Sequence, residues 1–184
     1  MKIFMDTEFT GLHQNTTLIS IGIVTEDNRY FYAELNDYDK SQVNSWLQEN
    51  VIDNLVYNNT DVSIPKTPAS TANEYKIKGN KEQVTEALKA FLAPYETIQI
   101  WSDCLAYDWV LFCELFGGAL SLPKNIGYIP MDICTFMWYE GIDPDINRES
   151  FIQDLIEPNK KHNKHNSLWD AEVIKMCYEK LMEI

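Results

Sequence analysis

Four acids and one histidine carry the chemistry this sequence offers. Asp6 and Glu8 stand two apart in Asp6-Thr7-Glu8, directly after the apolar run Ile3-Phe4-Met5. On a strand, a period of two puts both carboxylates on one face, where they can hold one hard cation together. Asp108 follows Tyr107 at the expected start of a helix just past an apolar strand, and Asp103, five residues earlier, competes for the same role. An acid in a first helical turn is also what the helix dipole favours without any function. Asp170 falls in the first turns of the last amphipathic helix, with His165 in the loop before it. Oxygen ligands alone suit Mg²⁺ or Mn²⁺. Two such ions can activate water and neutralise charge on attacking and leaving oxygens. Neutral imidazole, with an ordinary pKa of about 6.5, can take a proton from that water. Singly, each feature has a bland alternative. Asp-x-Glu is common at solvated strand ends, and a lone loop histidine is usually a bystander. The combination is what is specific.

The elements that must position these residues are legible in outline. Ile3-Phe4-Met5, Thr17 to Thr25 and Tyr30 to Leu35 read as three opening strands, with a turn at Asp27-Asn28. From Lys40 to Val56, apolar residues at three- and four-residue spacing predict one helix, capped by Asp39 or Ser41. Residues 57 to 79 are rich in Asn, Thr, Ser, Pro and Lys and are expected to form a long loop. Asn80 should cap a helix carrying Val84, Leu88, Phe91 and Leu92, followed by the fourth strand, Thr97 to Trp101. Ala106 to Phe116 reads as a helix stopped by Gly117-Gly118, Tyr128 to Met137 as strand passing into helix, and Ser167 to Met182 as the final helix. Strands first and then alternating elements predict one α/β domain over residues 1–184, a mixed β-sheet flanked by α-helices.

Composition bounds the reading. With 184 residues, 45% hydrophobic and 12% aromatic, the chain suffices for one full-sized core. No apolar window approaches the ~20 residues of a membrane span and no signal peptide is evident, so a cytoplasmic protein is expected. Cys104, Cys113, Cys134 and Cys177 show no zinc-ligand spacing, and each is expected to act as a small buried hydrophobe. The net charge of −13 is the wrong sign for broad attraction to phosphate. Two divalent cations in a carboxylate site would bring −13 to about −9 and reverse the field only locally. Lys160, Lys161 and Lys164 offer a local positive funnel beside it.

Taken together, Asp6-Thr-Glu8-Phe-Thr-Gly-Leu12, Ala106-Tyr107-Asp108, and His165 followed by Asp170-Ala171 resemble the three motifs of the DEDDh 3′→5′ exonucleases. The likeness is closest to the small stand-alone bacterial and phage 3′→5′ exoribonucleases. It extends to Leu18 to Gly22 and Ser45-Trp46, and so spans nearly the whole chain. The chain departs from many relatives in carrying Asp103-Cys104-Leu105 where they have an Asn before the aromatic. The resemblance implies a ribonuclease H-like fold and a metal-dependent exonuclease acting on single-stranded 3′ ends, RNA foremost, releasing nucleoside 5′-monophosphates. It further implies that Asp6 bridges two ions, that Glu8 and Asp170 complete one site, that Asp108 supports the other, and that His165 is the general base. Phe9, Thr10 and Leu12 would form the 3′-nucleotide pocket, with Tyr107 beside it. Trp46 is either a stacking platform or a core residue of its helix. The expected partners are RNA or DNA 3′ ends, without a membrane, and a homodimer is the assembly to test. A single-strand DNA exonuclease is the alternative within the class, since only contacts to the 2′-hydroxyl separate the two. An inactive binding module on the same fold is the reading from another class, and the full set of acids and histidine argues against it. An acidic protein-interaction domain would explain the charge but leave the three motifs as coincidence.

Overall fold

Lys2–Phe9 forms strand β1, whose alternation sends Phe4, Asp6 and Glu8 to one face of the sheet and Ile3, Met5 and Thr7 to the other. The computed structural model describes residues 1–57, 73–156 and 165–184. β1 pairs antiparallel with β2 (Leu18–Thr25), which pairs antiparallel with β3 (Tyr30–Leu35). Parallel neighbours extend the sheet on both sides, β4 (Glu74–Gly79) beside β3 and β5 (Gln99–Ser102) beside β1, with β6 (Met131–Asp132) beside β5. The strand order is β4-β3-β2-β1-β5-β6, a mixed sheet as expected.

Helices cover both faces. α2 (Lys81–Leu92) and α3 (Leu105–Leu115) bury Val84, Leu88, Phe91, Leu111 and Phe112 against Ile3, Met5, Ile21, Ile23 and Phe31. Asn80 and Gln83 start α2 with a reciprocal capping box. On the other face lie α4 (Ile133–Tyr139), α5 (Arg148–Phe151) and α6 (Ser167–Leu181), packed through Ile133, Met137, Ile152, Trp169, Val173, Ile174 and Leu181 onto Phe4. Full burial of such large apolar side chains stabilises by roughly 1.5–3 kcal/mol each. Lys175 ties α6 to the β2–β3 turn, its buried Nζ donating to the Thr25 and Glu26 carbonyls and to Asn28 Oδ1. Among the described residues, no helix is long and apolar enough to cross a membrane.

Three expectations are corrected. The single helix over Lys40–Val56 is instead a 3₁₀ turn (Lys40–Gln42), a short helix α1 (Ser45–Asn50) and a second 3₁₀ turn (Ile52–Asn54). Val43 and Asn44 are extended, and the Asn44 side chain accepts from Leu47 N–H, so the chain caps a new helix rather than continuing an old one. The loop expected over residues 57 to 79 ends in β4, where alternating Tyr75 and Ile77 carry a strand pattern too short to stand out after a polar stretch. Residues 58–72 lie outside the described residues, as do Lys160, Lys161 and Lys164. Thirdly, Cys104 is exposed, whereas Cys113 and Cys177 are buried.

Candidate functional site

The acids meet along the second half of β1, where it runs on past the end of β5. Asp6 and Glu8 project from β1 toward α6, as the alternation requires. Asp170 comes from the first turn of α6, and Asp108 from the first turn of α3, which leaves the sheet just after β5. The placement of α6 depends on Gly22, which lies opposite Asp6 on β2. A Cβ there would stand 2.2 Å from the Ser167 carbonyl oxygen, so only glycine lets the helix start descend this close to the sheet. Beside it, buried Ser20 Oγ and Ser167 Oγ lie 3.0 Å apart in a hydrogen bond. The Asn166 side chain accepts from the Leu168 and Trp169 N–H groups and caps α6 between His165 and Asp170. His165 itself takes the left-handed conformation, φ 64°, which turns the chain into that cap.

Ligand atoms of Asp6, Glu8 and Asp170 all lie within 4.8 Å of one another, and those of Asp6, Asp103 and Asp108 do the same. Asp6 therefore belongs to both groups. It is only 9% exposed, and no hydrogen-bond donor among the described residues reaches its carboxylate. Burial first, then the charges of Asp108, Asp170 and Glu8, push the Asp6 carboxyl well above the usual range. The same causes, burial and then Asp170 and Asp108, push Glu8 up to about 8. Asp108 is fully buried, and burial pushes it up to about 7 against two side-chain hydrogen bonds and a backbone one from Thr7 that pull it down. The side-chain bonds come from Thr7 Oγ1, 2.5 Å from Oδ1, and from Ser102 Oγ on Oδ2. Repulsion and desolvation disfavour the ionised form of such a cluster unless cations enter it, and its all-oxygen donor set fits hard divalent ions.

A cleft of about 440 Å³ opens over the cluster, bordered by Asp6, Glu8, Phe9, Asp103, His165 and Asp170 on one side and by residues 145–149 on the other. The predicted site residues distribute unevenly around it. Phe9 stacks on Tyr107 with ring centroids 5.3 Å apart. Trp46 is 53% exposed at the start of α1, with its ring edge-on to His165 at 5.2 Å, so it is not a core residue of its helix. Leu12 is exposed. Thr10 is buried, its hydroxyl donating to Gln42 Oε1 at 2.6 Å and accepting from Thr17 N–H at 2.8 Å, so that it organises the turn after β1. Cys104 also borders the cleft, but desolvation and the Asp108 and Asp103 charges push its thiol up to about 11 and keep it protonated. The wall formed by Asp145, Asn147, Arg148 and Glu149 carries no motif, and the sequence offered no signal for it. Glu149 accepts from Trp169 Nε1 at 2.8 Å and so ties α5 to α6.

Comparison with known proteins bears on the fold and the family. Over its whole length the chain superimposes on a solved crystal structure of a full-length 3′-exonuclease, with a TM-score of 0.64 at 10% identity, covering 99% of this chain and 81% of that one. That likeness establishes the ribonuclease H-like fold. In sequence it is 30% identical over 128 residues to 3′-5′ exoribonuclease Rv2179c of Mycobacterium tuberculosis strain ATCC 25618 / H37Rv, covering 68% of this chain and 67% of the relative. The same figures hold for 3′-5′ exoribonuclease MT2234.1 of strain CDC 1551 / Oshkosh. The family model for the 3′-5′ exoribonuclease Rv2179c-like domain matches residues 1–182, and the chain belongs to that family.

Proposed function

We propose that this chain is a two-metal-ion 3′→5′ exonuclease that removes nucleotides from single-stranded RNA as nucleoside 5′-monophosphates. The observation that carries this reading is Asp6: a nine-tenths-buried carboxylate, without a donor among the described residues, shared by two groups of acids. A carboxylate so placed either keeps its proton or takes a cation, and two groups sharing it suit a pair of Mg²⁺ or Mn²⁺ ions. When bound, such ions supply charge neutralisation at the phosphate and lower the pKa of water. Asp6, Glu8 and Asp170 would hold one, and Asp6 with Asp108 the other.

The chain's own residues perform the rest. Thr7 and Ser102 orient Asp108 through one hydrogen bond to each oxygen. His165, which borders the cleft together with Asp170 and has Trp46 packed against its ring, would take the proton of the attacking water. Phe9 and Tyr107 form an aromatic stack beside the acids that can receive the terminal base. The test uses matched RNA and DNA oligonucleotides, labelled at either end and incubated with Mg²⁺, Mn²⁺ or EDTA. Mononucleotides should appear stepwise from the 3′ end of RNA, faster than from DNA, and not at all in EDTA. Full activity in excess EDTA would sink the two-metal reading, and faster cleavage of DNA would reassign the substrate.

A further inference from the structure

The position of Asp108 leaves a gap in this site. Asp108 is fully buried, and each of its oxygens already accepts from a hydroxyl, Thr7 on one and Ser102 on the other. The Thr7 backbone also reaches this carboxylate, and the residue is closed to solvent. On that side of Asp6, the acid that borders the cleft is Asp103, and its carboxylate lies within 4.8 Å of the Asp6 and Asp108 ligand atoms.

Asp103 is in turn held by a cation with an unusual set of contacts. Arg148 Nη1 donates to the Ile146 carbonyl at 2.6 Å and Nη2 to Cys134 Sγ at 2.8 Å, which anchors the guanidinium on the far wall. Cys134 closes the arrangement by donating to the Asp103 carbonyl at 3.2 Å. The remaining edge, Nε, is buried and lies 3.4 Å from Asp103 Oδ2 without forming a hydrogen bond. The pair therefore attracts without a hydrogen bond, while backbone N–H groups of Cys104 and of Asp103 itself support the carboxylate, one ligand atom of which lies within reach of Asp6.

Resting on the metal reading above, we propose that Asp103 is a fifth carboxylate of the metal centre, serving the divalent cation held between Asp6 and Asp108, and that Arg148 is the positioning residue that fixes it. The charges are compatible with this arrangement, since two divalent ions and one guanidinium together balance the five carboxylates Asp6, Glu8, Asp103, Asp108 and Asp170.

The experiment is a Mn²⁺ titration of the metal-free protein without substrate. Free Mn²⁺ is followed by electron paramagnetic resonance in the wild type, Asp6→Asn, Asp103→Asn, Arg148→Met and the Asp103→Asn/Arg148→Met double variant. The wild type should bind two ions. Asp103→Asn, nearly isosteric, should weaken one of them by roughly 10- to 100-fold and leave the other unchanged, the usual range for groups that orient a metal site. Arg148→Met should weaken the same ion, and the double variant should be no weaker than Asp103→Asn alone, because Arg148 acts through Asp103. If Asp103→Asn binds both ions as the wild type does while Asp6→Asn does not, the fifth carboxylate is refuted and the metal reading survives. If the wild type binds no Mn²⁺, or Asp6→Asn binds as the wild type does, both fall together.

Discussion

At the residue scale, the carboxylates of the site hold their protons more tightly than free acids do, and this fixes the sign of two pH effects. Glu8 is pushed up to about 8 and Asp108 to about 7, with Asp6 well above its usual range. Between an unfolded pKa near 4 and these folded values, the native state binds more protons than the unfolded chain, so stability falls as pH rises. The metal-free protein should accordingly melt at progressively lower temperature from about pH 5 to pH 8. Divalent ions displace those protons, so Mg²⁺ should raise the melting temperature more at pH 8 than at pH 5. Asp6→Asn should flatten the metal-free slope; thermal melts in EDTA and in Mg²⁺ across this range check both claims, and a metal-free protein that gains stability toward pH 8 would contradict them. His165 makes a separate prediction. His165→Ala should lose roughly 10²- to 10⁴-fold in turnover, the usual contribution of a general base, while binding Mn²⁺ as the wild type does. His162→Ala, three residues away, serves as the control and should stay near wild-type activity. Steady-state rates for the pair decide the assignment, and a crippled His162→Ala beside an active His165→Ala would reverse it.

Among the elements, α6 matters most to the site, because it delivers Asp170 directly and His165 from the residue before its cap. Its start rests on β2 at the one position without a side chain, where a Cβ on Gly22 would meet the Ser167 carbonyl at 2.2 Å and the Leu168 nitrogen at 2.3 Å. Both are backbone atoms, so relief requires moving the helix. Gly22→Ala should therefore cost at least the roughly 1–3 kcal/mol typical of overpacking, and it should remove most activity by drawing Asp170 away from Glu8. Ser20→Ala, on the same face one pair along, deletes only the hydrogen bond to Ser167 and should cost about 1 kcal/mol with turnover largely kept. Urea unfolding and single-turnover rates on the two variants make the comparison. Wild-type turnover in Gly22→Ala would mean that the close approach of α6 does not set the geometry of the site.

For the whole molecule, a net charge of −13 has to coexist with a polyanionic substrate. Apart from His165, Arg148 is the one basic residue among the described residues bordering the cleft, and it is paired with Asp103. The described residues bordering the cleft therefore offer little positive surface to grip phosphates away from the metal centre. Binding energy should come from the terminal nucleotides inside the cleft, so kcat/KM should change little with RNA length beyond about four nucleotides. For the same reason, its logarithm should fall only shallowly with the logarithm of salt, with a slope corresponding to about one or two phosphate contacts. A length series from 2 to about 20 nucleotides, assayed over a range of KCl, measures both. A steep salt slope or a large gain with length would reveal a basic track outside the cleft.

Much of this was legible in the residues themselves, because the features concerned are local. The two-residue spacing of Asp6 and Glu8 dictates a shared face on any strand, and Asn80 or Asn166 can cap a helix with no help from distant parts of the chain. Apolar and β-branched runs marked β1 and β2, and alternation marked β3, for the same reason. What failed locally was decided by competition between neighbouring signals: the apolar spacing over Lys40–Val56 continues a helix that the Asn44 cap interrupts, and β4 hides at the end of a polar stretch. The site itself required tertiary structure. No pattern links Gly22 to Ser167, or Thr7 and Ser102 to Asp108, since each pair is joined only when separate strands and helices meet. In sequence Asp103 and Asp108 are alternatives for one role, five residues apart, and the turn from β5 into α3 brings both carboxylates to Asp6. Sequence could name the acids because chemistry constrains their type. Their distances, burial and partners follow from packing, and packing is a property of the whole chain.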